Sequence, residues 1–177
     1  ILKSGRNGAT YQDQHIGTFE DDYKVFRKAL DGANVRYDEL SDGDVDAGVA
    51  RLSGYKVIVV PLLVDLPAAE VSALSDFARG GGKLLITDGA GVPGAGAQSL
   101  EALAGVASAK QATIKEVNKL VWSKPGAINA PTAEFAIASV ISQLALSGTG
   151  SSMATWQDAN GQEQGIGIAR AGNVIFM

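Results

Sequence analysis

The sequence contains no cysteine and a single histidine, His15. The absence of cysteine excludes disulfide bonds, thiolate metal sites and cysteine-based catalysis. It does not identify the compartment, because many exported bacterial-type proteins also lack cysteine; we slightly favour an exported or periplasmic location over a cytoplasmic one. Any acid–base chemistry that requires an imidazole would have to use His15.

An excess of positive charge is also absent. The chain has 15 basic and 19 acidic residues and a formal net charge of −4. Nucleic acids and anionic membranes attract clustered positive charge, which this mixed distribution does not provide. The longest unbroken apolar run, residues 57–64, is far shorter than the roughly 20 residues of a membrane-spanning helix. The sequence therefore predicts neither nucleic-acid binding nor a membrane span.

The length of 177 residues is typical of one domain, and we predict a single domain over residues 1–177. Glycine is frequent, with 22 residues, but it follows no short repeat and so indicates many tight turns. The hydrophobic periodicity weakens over residues 107–131, which we interpret as an insertion. Because the chain begins at Ile1 and ends within an apolar stretch at Met177, we expect it to be part of a longer protein.

The rest of the chain is organised around residues 55–91, which show the pattern strand, crossover helix, strand. Residues 57–60 and 84–86 are short apolar runs, as expected for strands buried on both faces of a parallel sheet. Between them, Pro67 suits the first position of a helix, and the glycines at 80–82 end it. This pattern predicts a right-handed βαβ unit and therefore an α/β fold.

Signals on either side extend the βαβ unit. A helix is predicted to begin after Thr18 and to end at Gly32, and strands are predicted at residues 1–3, 35–40 and 174–176. We therefore predict a flavodoxin-like three-layer α/β sandwich with a mainly parallel sheet and helices on both faces.

The C-terminal part follows a different pattern. Asn160 and Gly161 form a hairpin signal between the alternating stretches 153–156 and 164–170, which predicts a C-terminal antiparallel hairpin. Residues 132–146 are ambiguous. Their apolar residues share a helical face, but several are β-branched, so both helix and strand stay open.

The second strand of the βαβ unit ends in a Gly-rich turn, residues 87–91, with the sequence TDGAG. A sharp turn at this place can display a catalytic nucleophile. This turn contains no serine or cysteine. We therefore expect no covalent catalysis through a serine or cysteine here.

The chain resembles the class I glutamine amidotransferase-like superfamily, especially its non-catalytic branch, the β-galactosidase trimerisation-type domains of carbohydrate-active proteins. The resemblance is carried by the strand that ends in PL at 61–62, the helix closed by RGGGK at 79–83, the small-residue turn that follows, and a Gly-led final strand. It covers residues 18–106 and 165–177. Active members carry a cysteine at the turn and a His/Glu pair near the C-terminus, which this chain lacks. The resemblance thus implies the architecture without that chemistry.

Candidate site residues lie in the loops that follow the predicted strands. The catalytic candidates are Asp88, His15 and Glu20, with His15 as the only imidazole that could act as a base. Against this role, a single histidine in a polar loop is usually only exposed, and Asp88 can bind the N–H groups of its own turn. The predicted ligand-binding residues are Arg6, Asp88, Gly89 and Gly91.

Other motifs favour structural roles. The stretch 42–46, DGDVD, resembles the start of a calcium loop, but Ala47 and Ser53 replace the required Gly and Glu, so we predict no metal site and no cofactor. The stretch 5–8 lacks a phosphate-loop Lys and Ser/Thr, so we interpret it as a polar turn. Trp122 and Trp156 could stack on sugar rings, although packing is the more frequent role of such residues.

Together, these features predict that the chain is a non-catalytic domain for assembly or ligand positioning in a larger carbohydrate-active protein, such as a glycoside hydrolase. Its expected partners are other domains of that protein or further copies of the chain, together with a small-molecule or sugar ligand. The alternatives are a hydrolase with its site at Asp88 and His15, and a small-molecule sensing domain.

Overall fold

The computed structural model places six helices and nine strands in the part of the chain that it describes. This part forms two compact units, Ile1–Leu100 and Glu101–Met177. The prediction of one domain with an insertion stays a prediction. The described residues are 1–89, 91–113, 117–123, 133–134 and 140–177.

In the described residues, the helices all begin before residue 100, and seven of the nine strands follow them. None of these helices is long and apolar enough to cross a membrane. The helices are α1 Gly5–Asp13, α2 Phe19–Gly32, α3 Asp42–Asp46, α4 Val49–Leu52, α5 Ala68–Arg79 and α6 Ala95–Leu103. The strands are β1 Val57–Leu63, β2 Lys83–Asp88, β3 Val106–Thr113, β4 Val117–Trp122, β5 Ala133–Glu134, β6 Val140–Leu146, β7 Ser151–Asp158, β8 Glu163–Ala171 and β9 Val174–Phe176.

The central βαβ unit is confirmed. β1 and β2 pair in parallel, with Val57 opposite Lys83 and Val60 opposite Ile86, and α5 connects them. Pro67 precedes the first residue of α5 and occupies its N-cap position. The apolar runs and the closing glycines were sufficient to locate these three elements.

The first residues of the chain lie beside β1. The N–H of Leu2 donates to the carbonyl of Val59 at 2.8 Å, and the N–H of Lys3 donates to the carbonyl of Leu40 at 2.8 Å. Leu2 and Leu40 form an isolated parallel bridge. The strand predicted over residues 35–40 is wrong, because Leu40 alone forms a bridge and the polar remainder of the segment is mostly exposed.

The polar turn predicted at residues 5–8 is also wrong, because these residues form the first turn of α1. Ser4 is the N-cap, and its Oγ accepts a hydrogen bond from the N–H of Asn7 at 3.0 Å. Two glycines lower the helix propensity of this stretch. The burial of Asn7 and Tyr11 against the first unit overrides this local preference.

One core cluster of the first unit is rich in aromatic residues. Tyr11, Phe19, Tyr23 and Val64 are buried together with Ile1. Phe19 and Tyr23 belong to α2, whose predicted span and Thr18 N-cap position are confirmed. Phe19 and Tyr23 thus form the apolar face of α2 on which Tyr11 of α1 packs.

In the second unit, the described strand pairs are antiparallel. β3 pairs with β6, placing Gln111 opposite Ser142, and β7, β8 and β9 form a meander. The C-terminal hairpin is therefore confirmed. Of the ambiguous stretch 132–146, residues 133–134 and 140–146 are strands, β5 and β6, whereas residues 132 and 135–139 lie outside the described part.

The predicted fold class needs correction. The fold is α/β, but its strand pairing is mixed and mostly antiparallel, so it is not a mainly parallel flavodoxin-like sandwich. Parallel neighbours require a crossover of a dozen or more residues. The connections after residues 151–158 and 163–171 contain four and two residues, and such short connections impose antiparallel pairing.

Candidate functional site

In the first unit, the carboxyl ends of β1 and β2 form the edge at which α/β folds usually place their sites. Near the end of β1, Leu62 takes a left-handed conformation with a φ of 55°. This conformation costs a residue with a side chain roughly 1–2 kcal/mol. It is held on one side by the Leu62 N–H, which donates to Thr87 Oγ1 at 2.9 Å.

On the other side, the buried amide of Asn7 clamps the same turn. Its Nδ2 donates to the carbonyl of Leu62 at 2.7 Å. Its Oδ1 accepts from the N–H groups of Val64 and Asp65 at 2.8 and 3.0 Å. Paired N–H groups at a strand end are the usual components of an oxyanion hole. Here they are already bonded to the protein's own side chain.

Asp65 connects this turn to the start of α6. Its Oδ1 accepts hydrogen bonds from the N–H groups of Leu66 and Gly96, both at 2.9 Å. A Cβ at Gly96 would lie within 3.0 Å of the Leu66 carbonyl. The backbone approach is therefore so close that only glycine fits without a shift.

The loop that carries His15 reaches the loop after β2 through its neighbour Gln14. Gln14 Oε1 accepts from the N–H of Val92 at 2.7 Å, and Gln14 Nε2 donates to the Val92 carbonyl at 2.9 Å. A Cβ at Gly91 would lie within 3.0 Å of Gln14 and Ile16. His15 itself is exposed and has a φ of 56°. The side-chain amide of Gln14, and not the imidazole of His15, thus connects the two loops.

Asp88 lies at the end of β2, half-buried and in register with Leu63. The next residue, Gly89, is buried and donates its N–H to the Leu63 carbonyl at 2.9 Å. A Cβ at Gly89 would lie 2.7 Å from the Leu62 carbonyl, so glycine allows the two turns to pack. Glu20, the third catalytic candidate, forms an ion pair with Lys3 at 2.9 Å.

Arg6, predicted to bind a ligand, is the centre of an ion-pair cluster that joins three helices. Its guanidinium forms a bidentate contact with Asp46 of α3 and bonds to Glu70 of α5. The Glu70 side chain is fully buried, and its second oxygen, Oε2, has no hydrogen-bond partner among the described residues. The ligand-binding role of Arg6, Asp88, Gly89 and Gly91 stays a prediction.

The electrostatics of this cluster follow from burial and pairing. Burial raises the pKa of Glu70 above its ordinary value, and the bond to Arg6 offsets only part of that rise. The hydrogen bond to Asp46, followed by the bond to Glu70, raises the pKa of Arg6. The same guanidinium lowers the pKa of Asp46. Glu70 is therefore the member of the cluster whose charged form is disfavoured by burial.

The carboxylates of the DGDVD stretch each have a structural partner. Asp42 Oδ2 accepts from the N–H groups of Gly5 and Arg6 at 3.0 and 3.2 Å, at the start of α1. Asp44 completes a capping box with Ser41. Within the described ranges, no group of three or more His, Asp or Glu side chains is arranged to hold a metal ion.

The two tryptophans belong to the second unit and pack on its sheet. Trp122 and Trp156 lie against a buried cluster of Leu120, Ala154 and Ile168. The Nε1–H of Trp156 donates to the Ser142 carbonyl at 2.9 Å. Packing is thus their observed role.

Sequence reasoning missed the residues that shape the turn and the buried acid of the Arg6 cluster. Asn7 and Glu70 are buried polar residues whose partners lie 55 to 64 positions away in the chain. Thr87 lies in the identified turn, but its hydroxyl acts on Leu62 across the strand pair. Only Ser4, a good N-cap residue, could have indicated the start of α1.

Comparison with known families gives a match over residues 33–164, about three quarters of the chain, to a family described as the beta-galactosidase trimerisation domain. Comparison with curated proteins gives no match.

Solved structures share the fold at low sequence identity. The alpha-L-fucosidase isoenzyme 2 of Paenibacillus thiaminolyticus is 14% identical, with a TM-score of 0.54 over 81% of this chain and 23% of the fucosidase. The cold-adapted beta-galactosidase of Rahnella sp. R3 is 13% identical, with a TM-score of 0.59 over 81% of this chain and 22% of that enzyme. A ThuA-like protein of Bacteroides uniformis is 14% identical, with a TM-score of 0.59 over 99% and 79% of the two chains. The chain thus spans less than a quarter of the two glycosidases.

Proposed function

Since the chain belongs to the beta-galactosidase trimerisation domain family, we propose that it is a non-catalytic domain for assembly within a larger carbohydrate-active protein. The proposal includes membership of the non-catalytic branch of the class I glutamine amidotransferase-like superfamily. On this proposal the parent protein is a glycoside hydrolase, and the partners are its other domains or further copies of the chain.

The observation that carries this proposal is the family match itself, because the family is described by its role in trimerisation. The fold shared with a fucosidase and a beta-galactosidase supports a carbohydrate-active parent. The clamped turn after β1 supports a non-catalytic role. The N–H groups of Val64 and Asp65 donate to Asn7 and are not available to a developing oxyanion.

We expect the purified chain to associate in solution into a trimer, with about three times the 18.2 kDa mass of one copy. The physical reason is that a domain used for assembly into a ring must present two surfaces that fit each other on neighbouring copies. Sedimentation equilibrium over a range of concentrations measures the mass and the dissociation constant. A chain that stays monomeric throughout the range would contradict the assembly role.

For the strand-end residues, we expect His15→Ala to leave both stability and assembly unchanged, because His15 is exposed. We predict from the sequence that Asp88 binds the N–H groups of its own turn, so Asp88→Ala is expected to lower the free energy of unfolding by about 0.5–2 kcal/mol. Urea unfolding measures both effects. The competing hydrolase hypothesis requires turnover of glutamine, an ester or a glycoside that disappears in Asp88→Asn at unchanged melting temperature.

A further inference from the structure

A groove lies at the amino ends of β1 and β2, opposite to the strand-end turns of the first unit. It has a volume of about 530 Å³ and is lined by Val49, Tyr55, Val57 and Phe77 and by the turn at residues 80–82. Val49 is 44% exposed and Val57 is 49% exposed. The fold of this unit therefore leaves two apolar walls in contact with water, although their burial would be favourable.

The turn after α5 keeps the groove open. Its three residues are glycines, and a Cβ at Gly82 would lie within 3.0 Å of the Phe77 ring. Gly81 has a φ of 99°, which a residue with a side chain rarely adopts. No side chain of this turn can therefore fill the groove.

The rim of the groove is basic. Lys56 and Lys83 line it and are exposed. Neither lysine forms an ion pair within the described residues, whereas six other basic residues do. The chain as a whole carries a net charge of −4. An unpaired basic rim on an acidic protein is complementary to the acidic surface of a second copy.

The first turn of α2 offers such a surface, because it carries Glu20, Asp21 and Asp22. Lys24 and Lys28 lie further along the helix. Val25 is 64% exposed, and Asp21 lies one turn earlier on the same face. Asp21 pairs with Lys24, but both side chains are exposed, and such a pair contributes little to stability. Its carboxylate can therefore exchange this partner for one on another chain at low cost.

We propose that the groove receives the face of α2 formed by Asp21 and Val25 from a second copy of the chain. Val25 enters between Val49 and Val57, and Asp21 faces Lys56 and Lys83. The two surfaces differ, so the contact is heterologous, and heterologous contacts form a ring when the rotation between copies closes. A trimer is such a ring. This inference rests on the proposed assembly function.

The first test reverses the rim charges with the double variant Lys56→Glu, Lys83→Glu. We expect the dissociation constant of the assembly, measured by sedimentation equilibrium, to rise about tenfold or more, because like charges then face each other. The matched control is Lys110→Glu, Lys119→Glu. It makes the same change in net charge outside the first unit and should leave the dissociation constant unchanged.

The second test adds Asp21→Lys to the reversed rim. The charges are then exchanged but again opposite, so most of the lost affinity should return, which a merely structural role of the lysines would not produce. Melting temperatures of all variants verify that the fold is intact. If the unchanged chain assembles and the rim variant assembles equally well, the groove is not the interface, although the assembly function stands. If the unchanged chain is monomeric, both proposals fail.

Discussion

Replacing Arg6 with methionine is expected to lower the melting temperature by about 2–12 °C at pH 8. The substitution removes the only hydrogen-bond partner described for the fully buried Glu70 side chain. Removal of one member of a fully buried pair commonly costs about 3–5 kcal/mol. Because the Arg6 side chain is 47% exposed, we expect a smaller loss of about 1–3 kcal/mol from leaving the Glu70 carboxylate without a partner. In a chain of this length, each kcal/mol corresponds to roughly 2–4 °C.

The effect should depend on pH in a defined direction. The pKa of Glu70 is raised by burial, so Glu70 favours folding most below its ordinary value of 4.5 and less as the pH rises through the raised value. The deficit of Arg6→Met should therefore be largest at pH 8 and smaller at pH 5. Asp46 acts in the opposite direction, because its lowered pKa adds stability above 3.8 that is lost only in stronger acid.

Two further variants make this measurement specific. Adding Glu70→Gln to Arg6→Met removes the buried charge and should recover part of the lost melting temperature at pH 8. Arg79→Met is the matched control, since Arg79 pairs with the exposed Asp76 and should change the melting temperature little. Equal melting of Arg6→Met and Arg79→Met at pH 8 would show that the cluster does not stabilise the fold.

Replacing Gly105 with alanine is expected to lower the free energy of unfolding by about 2–5 kcal/mol. Gly105 is buried with a φ of 74°, where a side chain costs roughly 1–2 kcal/mol. A Cβ there would also lie within 3.0 Å of the Gly150 backbone, so the two segments would have to separate, at a further cost of about 1–3 kcal/mol. The Gly105 carbonyl accepts from the Ser147 N–H at 2.8 Å, and this bond would be disturbed as well.

Gly148→Ala is the control in the same turn region. A Cβ at Gly148 meets no described atom within 4 Å, so the free energy of unfolding should change by less than about 1 kcal/mol. Urea unfolding of the two variants gives the comparison. A Gly105→Ala protein as stable as Gly148→Ala would mean that the backbone contact between Gly105 and Gly150 is not tight in solution.

The sequence predicted elements whose signals are local. The apolar runs of β1 and β2 and the hairpin at Asn160-Gly161 were found because each signal lies within a few residues of its effect. The prediction of a mainly parallel sheet was wrong, because it extended the parallel pairing of one correct βαβ unit to the rest of the chain. The antiparallel partner of β3 is β6, and no local signal in residues 106–113 identifies that pairing.

The candidate site shows the same limit. Asp88 and Gly89 lie at the end of β2, as the order of elements predicted, whereas His15 follows the helix α1 and not a strand. Arg6 pairs with acids 40 and 64 positions away, which spacing alone does not reveal, and its ligand-binding role stays a prediction. The composition shows that the chain has enough acidic residues to pair with Arg6. Which of them do so depends on how the helices pack, and a single sequence does not show that packing.

The Asn7 clamp also bears on where the domain can be cut. Asn7 precedes the Leu62 carbonyl that it binds by 55 positions, and the similarity to the family begins only at residue 33. A fragment trimmed to the region of similarity would lose this amide and the extended segment that borders β1. Leu62 would then keep its left-handed conformation with the Thr87 hydrogen bond but without the Asn7 hydrogen bond. The N–H groups of Val64 and Asp65 would lose their acceptor. Suitable expression boundaries are therefore those that keep every hydrogen-bonded partner on the same polypeptide.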